Sequence, residues 1–520
     1  MRKLSILIAC CFVSFNIISA ADRISKVEGN LNSQEDFRVA SLFKDHMVLQ
    51  RGMPVPVWGN AAAGAIVTID FADLKFKKVV GTDGKWSLKL NSLSASFEPK
   101  VMTITSSKNQ NEIVIADIVI GDVWICSGQS NMQFGINGAP EVKALFPSAK
   151  NIRSFTVQNT VAFEPQDSCD GEWISEQPNS AVAFAFAYFL EKEVNVPIGI
   201  IMASWGSSSL EAWMPRELTA SVPHFKVMME EFDDDKVTQS KIKKILAASK
   251  PWTKEDDIFL RRQTNILFNA MMNPLIPYAC SGLAWYQGER NAQSMHGMVK
   301  EPWYSRNSGI LAYGNTLKEW VKMYRNLWDR ENMQFQIVML PGYEGVLDSG
   351  PSKNSNNPNA HSWAWMRESQ LEVLDLPHTS VVNTIDLGDA KNIHPTDKLP
   401  IGERLALLAR ANVLKEKIEA YGPVYRKVKN EGNTLVVHFD HVNQLKTIDG
   451  KAPREFWLSD ESNKWVQGQA IIKGKTIEIS SSEIAKPVYI RYAFTGKPDV
   501  NLVNEENLPA YPFRTDEFKP

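Results

Sequence analysis

A largely apolar run, Ile120 to Cys126, stops abruptly at Ser127-Gly128-Gln129-Ser130-Asn131-Met132, and this stretch limits the fold more than any other. A short apolar run closed by turn formers fits a strand buried on both faces. Gly128 permits a tight turn there or the close approach of a substrate. The pattern then repeats. Val182 to Glu191 is apolar and helix-compatible, and Pro197 to Ala203 reads as the next strand. Thr264 to Ala270 suits a helix, and Gly282 to Gln287 closes a further strand. Leu317, Trp320, Val321, Tyr324 and Leu327 recur at helical spacing within Leu311 to Trp328. Phe335 to Leu340 and Thr379 to Leu387 read as strands, Trp363 to Leu371 and Ile401 to Ala411 as helices. About five strands alternating with helices predict an α/β class, a three-layer αβα domain over residues 118–410.

Both flanks read differently. In residues 22–117, β-prone runs such as Met47 to Gln50, Pro54 to Gly59 and Ala65 to Ile69 alternate with turn formers, including Asp83-Gly84. A β-sandwich follows, because half-buried strands need a second sheet. Pro54 and Pro56 point to an edge position for their strand. Residues 420–520 return to strand-like runs and predict a C-terminal β domain. Two stretches of the central domain read as insertions: Glu230 to Asp257 as exposed charged helix, and Gly342 to Ala360 as a loop that is either a lid or a tolerated insertion.

Residues 1–21 have the layout of an export signal: Arg2 and Lys3, an apolar stretch from Leu4 to Ile18, then Ser19-Ala20-Ala21. Cleavage is expected after Ala20 or Ala21, leaving a periplasmic or extracellular protein. Leu7 to Cys10 also resembles a lipoprotein box, but it lies very early in the apolar stretch. The apolar stretch is short for a membrane span. The formal charge of -2 gives no global attraction to nucleic acid or acidic membranes. Beyond the leader, Cys126, Cys169 and Cys280 remain, so at least one has no internal partner. Cys126 and Cys280 lie in apolar runs and read as buried thiols. Oligomeric state is not legible.

The chemistry centres on Ser130. A serine between a strand and a helix projects its hydroxyl at the carboxyl edge of the sheet, where open α/β sheets place their sites. A helix-capping serine would look the same in sequence, and the surroundings are not G-x-S-x-G. The hydroxyl needs a base to act as a nucleophile. His394, in Asp389-Ala390-Lys391-Asn392-Ile393-His394-Pro395, also follows a strand, and imidazole takes and returns a proton near neutral pH. No H-E-x-x-H, paired-cysteine or phosphate-cradling motif occurs, so neither a metal nor a cofactor is expected.

Ser127 to Met132 resembles the first block of the sialate O-acetylesterase family, a branch of the SGNH hydrolases. Leu42 to Arg51, Ser204 to Ser208, Trp285 to Glu289, Ile385 to Asp389 with Ile393 to Pro395, and Leu508 to Thr515 resemble its other blocks in order. The resemblance implies an SGNH-type αβα domain between β regions, and removal of O-acetyl groups from carbohydrates, O-acetylated sialic acids first among them. It implies Ser130 as nucleophile and His394 as base, with Ser130, Gly206 and Gln287 forming the oxyanion hole. The superfamily's acid stands three residues before the histidine, where this chain has Lys391. Asp389 is the expected replacement, with Asp386, Glu289 or a Ser-His dyad as alternatives. Gln129, Asn131, Trp205, Tyr286 and Glu289 are expected to contact the glycan, although aromatic residues here serve equally as core. Acetyl xylan or another polysaccharide is the alternative substrate. A catalytically inactive, secreted carbohydrate-binding protein is the alternative class.

Overall fold

The computed structural model describes residues 37–297, 307–345, 358 and 362–518. The leader and most of the 342–360 loop lie outside the described residues. Two compact units result, one from residues 37–39, 58–88 and 103–114, the other from 40–57, 89–102 and 115–518.

The smaller unit is β structure. A regular antiparallel hairpin pairs Ile66–Phe71 with Leu74–Val79. The strand Val55–Asn60 is the middle of three strands rather than an edge. Its short partner Arg38–Val39 faces only Gly59 and Asn60, so Pro54 and Pro56 fall outside that pairing.

The larger unit is built on the sheet expected from the repeating strands. Its strands are β1 (Glu112–Gly128), β2 (Ile152–Thr156), β3 (Trp173–Ile174), β4 (Ile198–Ser204), β5 (Gly282–Tyr286), β6 (Gln334–Val338) and β7 (Thr379–Val382). They lie in the order β3-β2-β4-β1-β5-β6-β7, parallel except for the β3-β2 pair. Successive side chains of a strand point to opposite faces, so helices must cover both. Trp124 meets Phe186 of the helix Ala181–Val194 edge-on at 5.1 Å. On the other face Trp285 packs on Trp320 of the helix Ile310–Leu327 at 4.7 Å. This is a three-layer αβα domain with β-rich flanking regions, an SGNH-type arrangement.

The helix Ala181–Val194 begins where Ser180 Oγ accepts the N–H of Ala183, and it ends at Asn195 in the left-handed region. Its Ala-rich face admits the helix Leu399–Asn412 so closely that a Cβ on Gly402 would lie 2.3 Å from Ala185 Cβ. The Glu230 to Asp257 region is largely helical, within Pro223–Asp234, Lys236–Leu246 and Lys254–Leu260. The helix expected over Thr264 to Ala270 is present from Ile266 and passes into the π-helical turn Phe268–Met272; the Asn269 N–H bonds the Asn265 carbonyl at 3.2 Å, while its side chain bonds the carbonyls of Ala162 and Phe163. The strand β7 stops at Val382, short of Leu387, because Asn383 turns its carbonyl to Arg404 and its amide to Pro509. C-terminal to the helices lie two four-stranded antiparallel sheets. Cys126, Cys169 and Cys280 are buried and free, so no disulfide links Cys169 to either. Among the described residues no helix is long and apolar enough to cross a membrane.

Candidate active site

The ends of three strands converge on one residue. Gly128 pairs with Ser204 of β4 on one side and with Tyr286 of β5 on the other. Its φ of +136°, and the 2.1 Å that would separate a Cβ from the Tyr286 carbonyl, make glycine obligatory here. The Gln129 N–H then bonds the Tyr286 carbonyl at 3.0 Å, and the Trp205 N–H bonds the Gly128 carbonyl at 3.1 Å. The chain enters the short helix Ser130–Gln133, so the Ser130 N–H falls in a first turn whose donors lack intrahelical acceptors.

Ser130 Oγ lies 2.8 Å from His394 Nε2. The histidine comes from the loop after β7, and both side chains are half-buried at the carboxyl edge of the sheet. Burial, and then the nearby positive charge of Lys398, hold the imidazole below its ordinary pKa. Both effects favour the neutral ring, the form that accepts a serine proton.

The exposed Asp389 is not turned to the imidazole. Its Oδ1 accepts the N–H groups of Lys391 (2.7 Å) and Asn392 (2.9 Å), which lower its pKa. Asp386 is paired with Arg404 at 2.7 Å. Among the described residues no carboxylate is hydrogen-bonded to the His394 ring. The loop is instead held through its backbone: the His394 N–H bonds Asn392 Oδ1, and the Ile393 carbonyl accepts Asn131 Nδ2 at 3.0 Å.

Asn131 joins several pieces of the site. Its Nδ2 also donates to Glu289 Oε1 at 2.5 Å, and its Oδ1 accepts Lys398 Nζ at 2.7 Å. Burial raises the Glu289 pKa and lowers that of Lys398 to about 8, an effect that Asp397 and Glu289 partly offset. Lys398 also lies 5.1 Å from the ring centre of Phe134 and 5.5 Å from that of Tyr286. Sequence reasoning passed over this lysine, although its place four residues after His394, beside a helix start, was a usable signal.

The two expected oxyanion donors outside the serine differ. Gly206 stands against the nucleophile: a Cβ on it would be 3.2 Å from Ser130 Cβ. Its N–H donates to Gln133 Oε1 at 3.0 Å. Gln287 is wholly buried, and its Nε2 is shared among Asn291 Oδ1 (2.8 Å), Gln129 Oε1 (3.2 Å) and the Ser208 carbonyl (3.2 Å). The Gln129 amide faces the serine, with Nε2 3.5 Å from Ser130 Oγ. Gln287 and the Arg290 N–H hold Gln129 Oε1, which fixes the opposite end of that amide toward the serine. Gln129, Asn131, Trp205, Tyr286 and Glu289, expected at a glycan surface, are all buried; Trp205 stacks on Trp252 with ring centres 6.3 Å apart.

A serine after the central strand β1 and a histidine in the loop after β7, meeting at the carboxyl edge of a parallel αβα sheet, define an SGNH-type hydrolase arrangement. Residues 120–409 match the family described as carbohydrate esterase, sialic acid-specific acetylesterase, and the chain belongs to that family. The sialate O-acetylesterase of Rattus norvegicus is 26% identical over 512 residues, spanning 89% of this chain and 90% of that protein. The human sialate O-acetylesterase is 26% identical over 502 residues, with 89% and 88% covered. The crystal structure of a carbohydrate acetylesterase from Xanthomonas citri superposes with a TM-score of 0.77 at 28% identity, covering 92% of this chain and 100% of that one. At this level the chain is a carbohydrate-acetylesterase-type hydrolase acting on glycans.

Proposed function

We propose that the protein removes O-acetyl groups from carbohydrates, O-acetylated sialic acids in particular, through an acetyl-enzyme on Ser130. The observation that carries this reading is the 2.8 Å contact between Ser130 Oγ and His394 Nε2. His394 takes the hydroxyl proton as Oγ attacks the acetyl carbonyl, then delivers it to the departing sugar oxygen. Water, deprotonated by the same imidazole, releases acetate and frees the serine. The oxyanion receives the N–H groups of Ser130 and Gly206, the latter once Gln133 swings aside. Gln129 supplies the side-chain amide, and Gln287 acts by orienting it. One such donor is worth about 3 kcal/mol of barrier. Asp389 serves the site by shaping the histidine loop, so the catalytic unit is a Ser-His pair. The leader-like residues 1–21 accord with export, to the periplasm or beyond. The reading assigns the chemistry to the middle segment of a chain divided at 22–117, 118–410 and 420–520.

Acetate release from a panel of O-acetyl sialosides and acetyl xylooligosaccharides tests the reading. Higher kcat/KM on the sialosides supports it. Preference for the xylooligosaccharides overturns the sialate part, and no release from any ester overturns the whole.

A further inference from the structure

Arg261 stands beside the nucleophile, and nothing in the acyl-transfer chemistry uses it. It directly follows the helix Lys254–Leu260, far along the chain from the other site residues. A Cβ on Gly206 would lie 3.2 Å from Ser130 Cβ and 3.3 Å from Arg261 Nη1, so guanidinium, glycine turn and serine share one corner. Asp257 Oδ2 approaches Nη2 at 3.4 Å. Arg261 Nε is buried without a hydrogen-bond acceptor among the described residues.

Guanidinium keeps its proton in proteins. Burial weakens its hold on that proton, and Asp257 restores only part of it. The other carboxylates of the site are directed elsewhere: Glu289 to Asn131, and Asp389 to the backbone of its own loop. A part-buried guanidinium whose Nη1 faces the glycine turn at the reaction centre, with its one ion-pair contact among the described residues at Nη2, fits an incoming anion, and the planar fork of arginine matches a carboxylate.

We propose that Arg261 is a specificity residue that binds the carboxylate of an acidic sugar while an acetyl ester of the same sugar reaches Ser130. The inference rests on the esterase reading and adds to it the feature selected, a carboxylate within one sugar ring's reach of the ester. Neutral acetylated sugars and aryl acetates lack this contact and react without it.

The test compares wild type, Arg261→Gln and Arg261→Lys on an O-acetylated sialic acid glycoside, its carboxyl methyl ester, an acetylated xyloside and 4-nitrophenyl acetate. Arg261→Gln is expected to raise KM for the acidic sugar about 10-fold or more. The three neutral esters should stay within about twofold of wild type, which also shows that the variant folds. Arg261→Lys should recover part of the loss, and wild type on the methyl ester should resemble Arg261→Gln on the acid. Equal losses on all four esters, or no loss on the acid, overturn the proposal. Calorimetric binding of the unacetylated acidic sugar to Ser130→Ala separates this failure from that of the esterase reading. Binding that is lost on adding Arg261→Gln supports the arginine's role even where no ester is cleaved, and binding indifferent to Arg261 overturns it.

Discussion

Asn131 Oδ1 accepts a 2.7 Å hydrogen bond from Lys398 Nζ, and this one contact ties the residue after the nucleophile to the helix that follows the histidine loop. Through its amide nitrogen the same side chain holds Glu289 and the Ile393 carbonyl. The separation of Ser130 and His394 is thus fixed by a buried polar cluster beneath them.

The lysine also acts through its charge. Burial first, and Lys398 second, depress the His394 pKa. The working base is the neutral ring, so kcat/KM should hold as pH falls through about 6.5, the ordinary histidine value, and fail only below it. Lys398→Met removes one of the two causes, so the acid limb of the profile should move to higher pH. A pH series of kcat/KM on 4-nitrophenyl acetate checks this, and an unmoved limb contradicts it.

Asp389 gives a sharper contrast. An acid that orients the catalytic imidazole typically costs about 10⁴-fold in kcat when changed to its amide. Here the carboxylate bonds two backbone N–H groups, which an asparagine Oδ1 can also accept. Asp389→Asn should therefore lower kcat less than about 10-fold. A loss near the larger figure would show that the carboxylate reaches the ring during turnover.

The two glutamines should separate by mechanism. Gln129→Ala removes the proposed donor and should reduce kcat by about 10²-fold, with KM little changed. Gln287→Ala leaves Gln129 in place but frees its amide, and also strips a partner from Asn291 and from Tyr313 Oη. It should lower stability by about 1–3 kcal/mol and reduce kcat by less than Gln129→Ala does. Urea unfolding together with steady-state kinetics on both variants checks the order.

Helix packing behind the sheet makes a separate prediction. At Gly402 any Cβ meets Ala185 Cβ at 2.3 Å and the Phe186 nitrogen at 2.6 Å. Gly402→Val should cost about 1–3 kcal/mol, the usual range for overpacking. Activity per folded molecule should persist where Lys398, one turn earlier on the same helix, keeps its bond to Asn131. A thermal melt with active-site titration measures both quantities.

Strand and helix order was legible because the apolar runs of β1, β4 and β5 are buried on both faces and leave a strong signal. Ser130 and His394 were legible because each follows such a run. The directions of polar side chains were not. The residues Gln-Gly-Glu at 287–289 look like an exposed donor block, yet Gln287 lies beneath Gln129 because two of its three acceptors, Gln129 and Ser208, come from elements distant in sequence. Trp205 and Tyr286 read equally well as a sugar platform or as core, and only the burial of both decides it. Lys398 and Arg261 escaped notice because their meaning comes from neighbours, Asn131 in one case and Gly206 in the other.

The most direct measurement is acetate release by Ser130→Ala, with circular dichroism on the same sample. Hydrolysis of every acetyl ester should fall by at least about 10³-fold while the spectrum and the melting curve are kept. Hydrolysis near the wild-type rate in the folded variant would contradict Ser130 as the nucleophile.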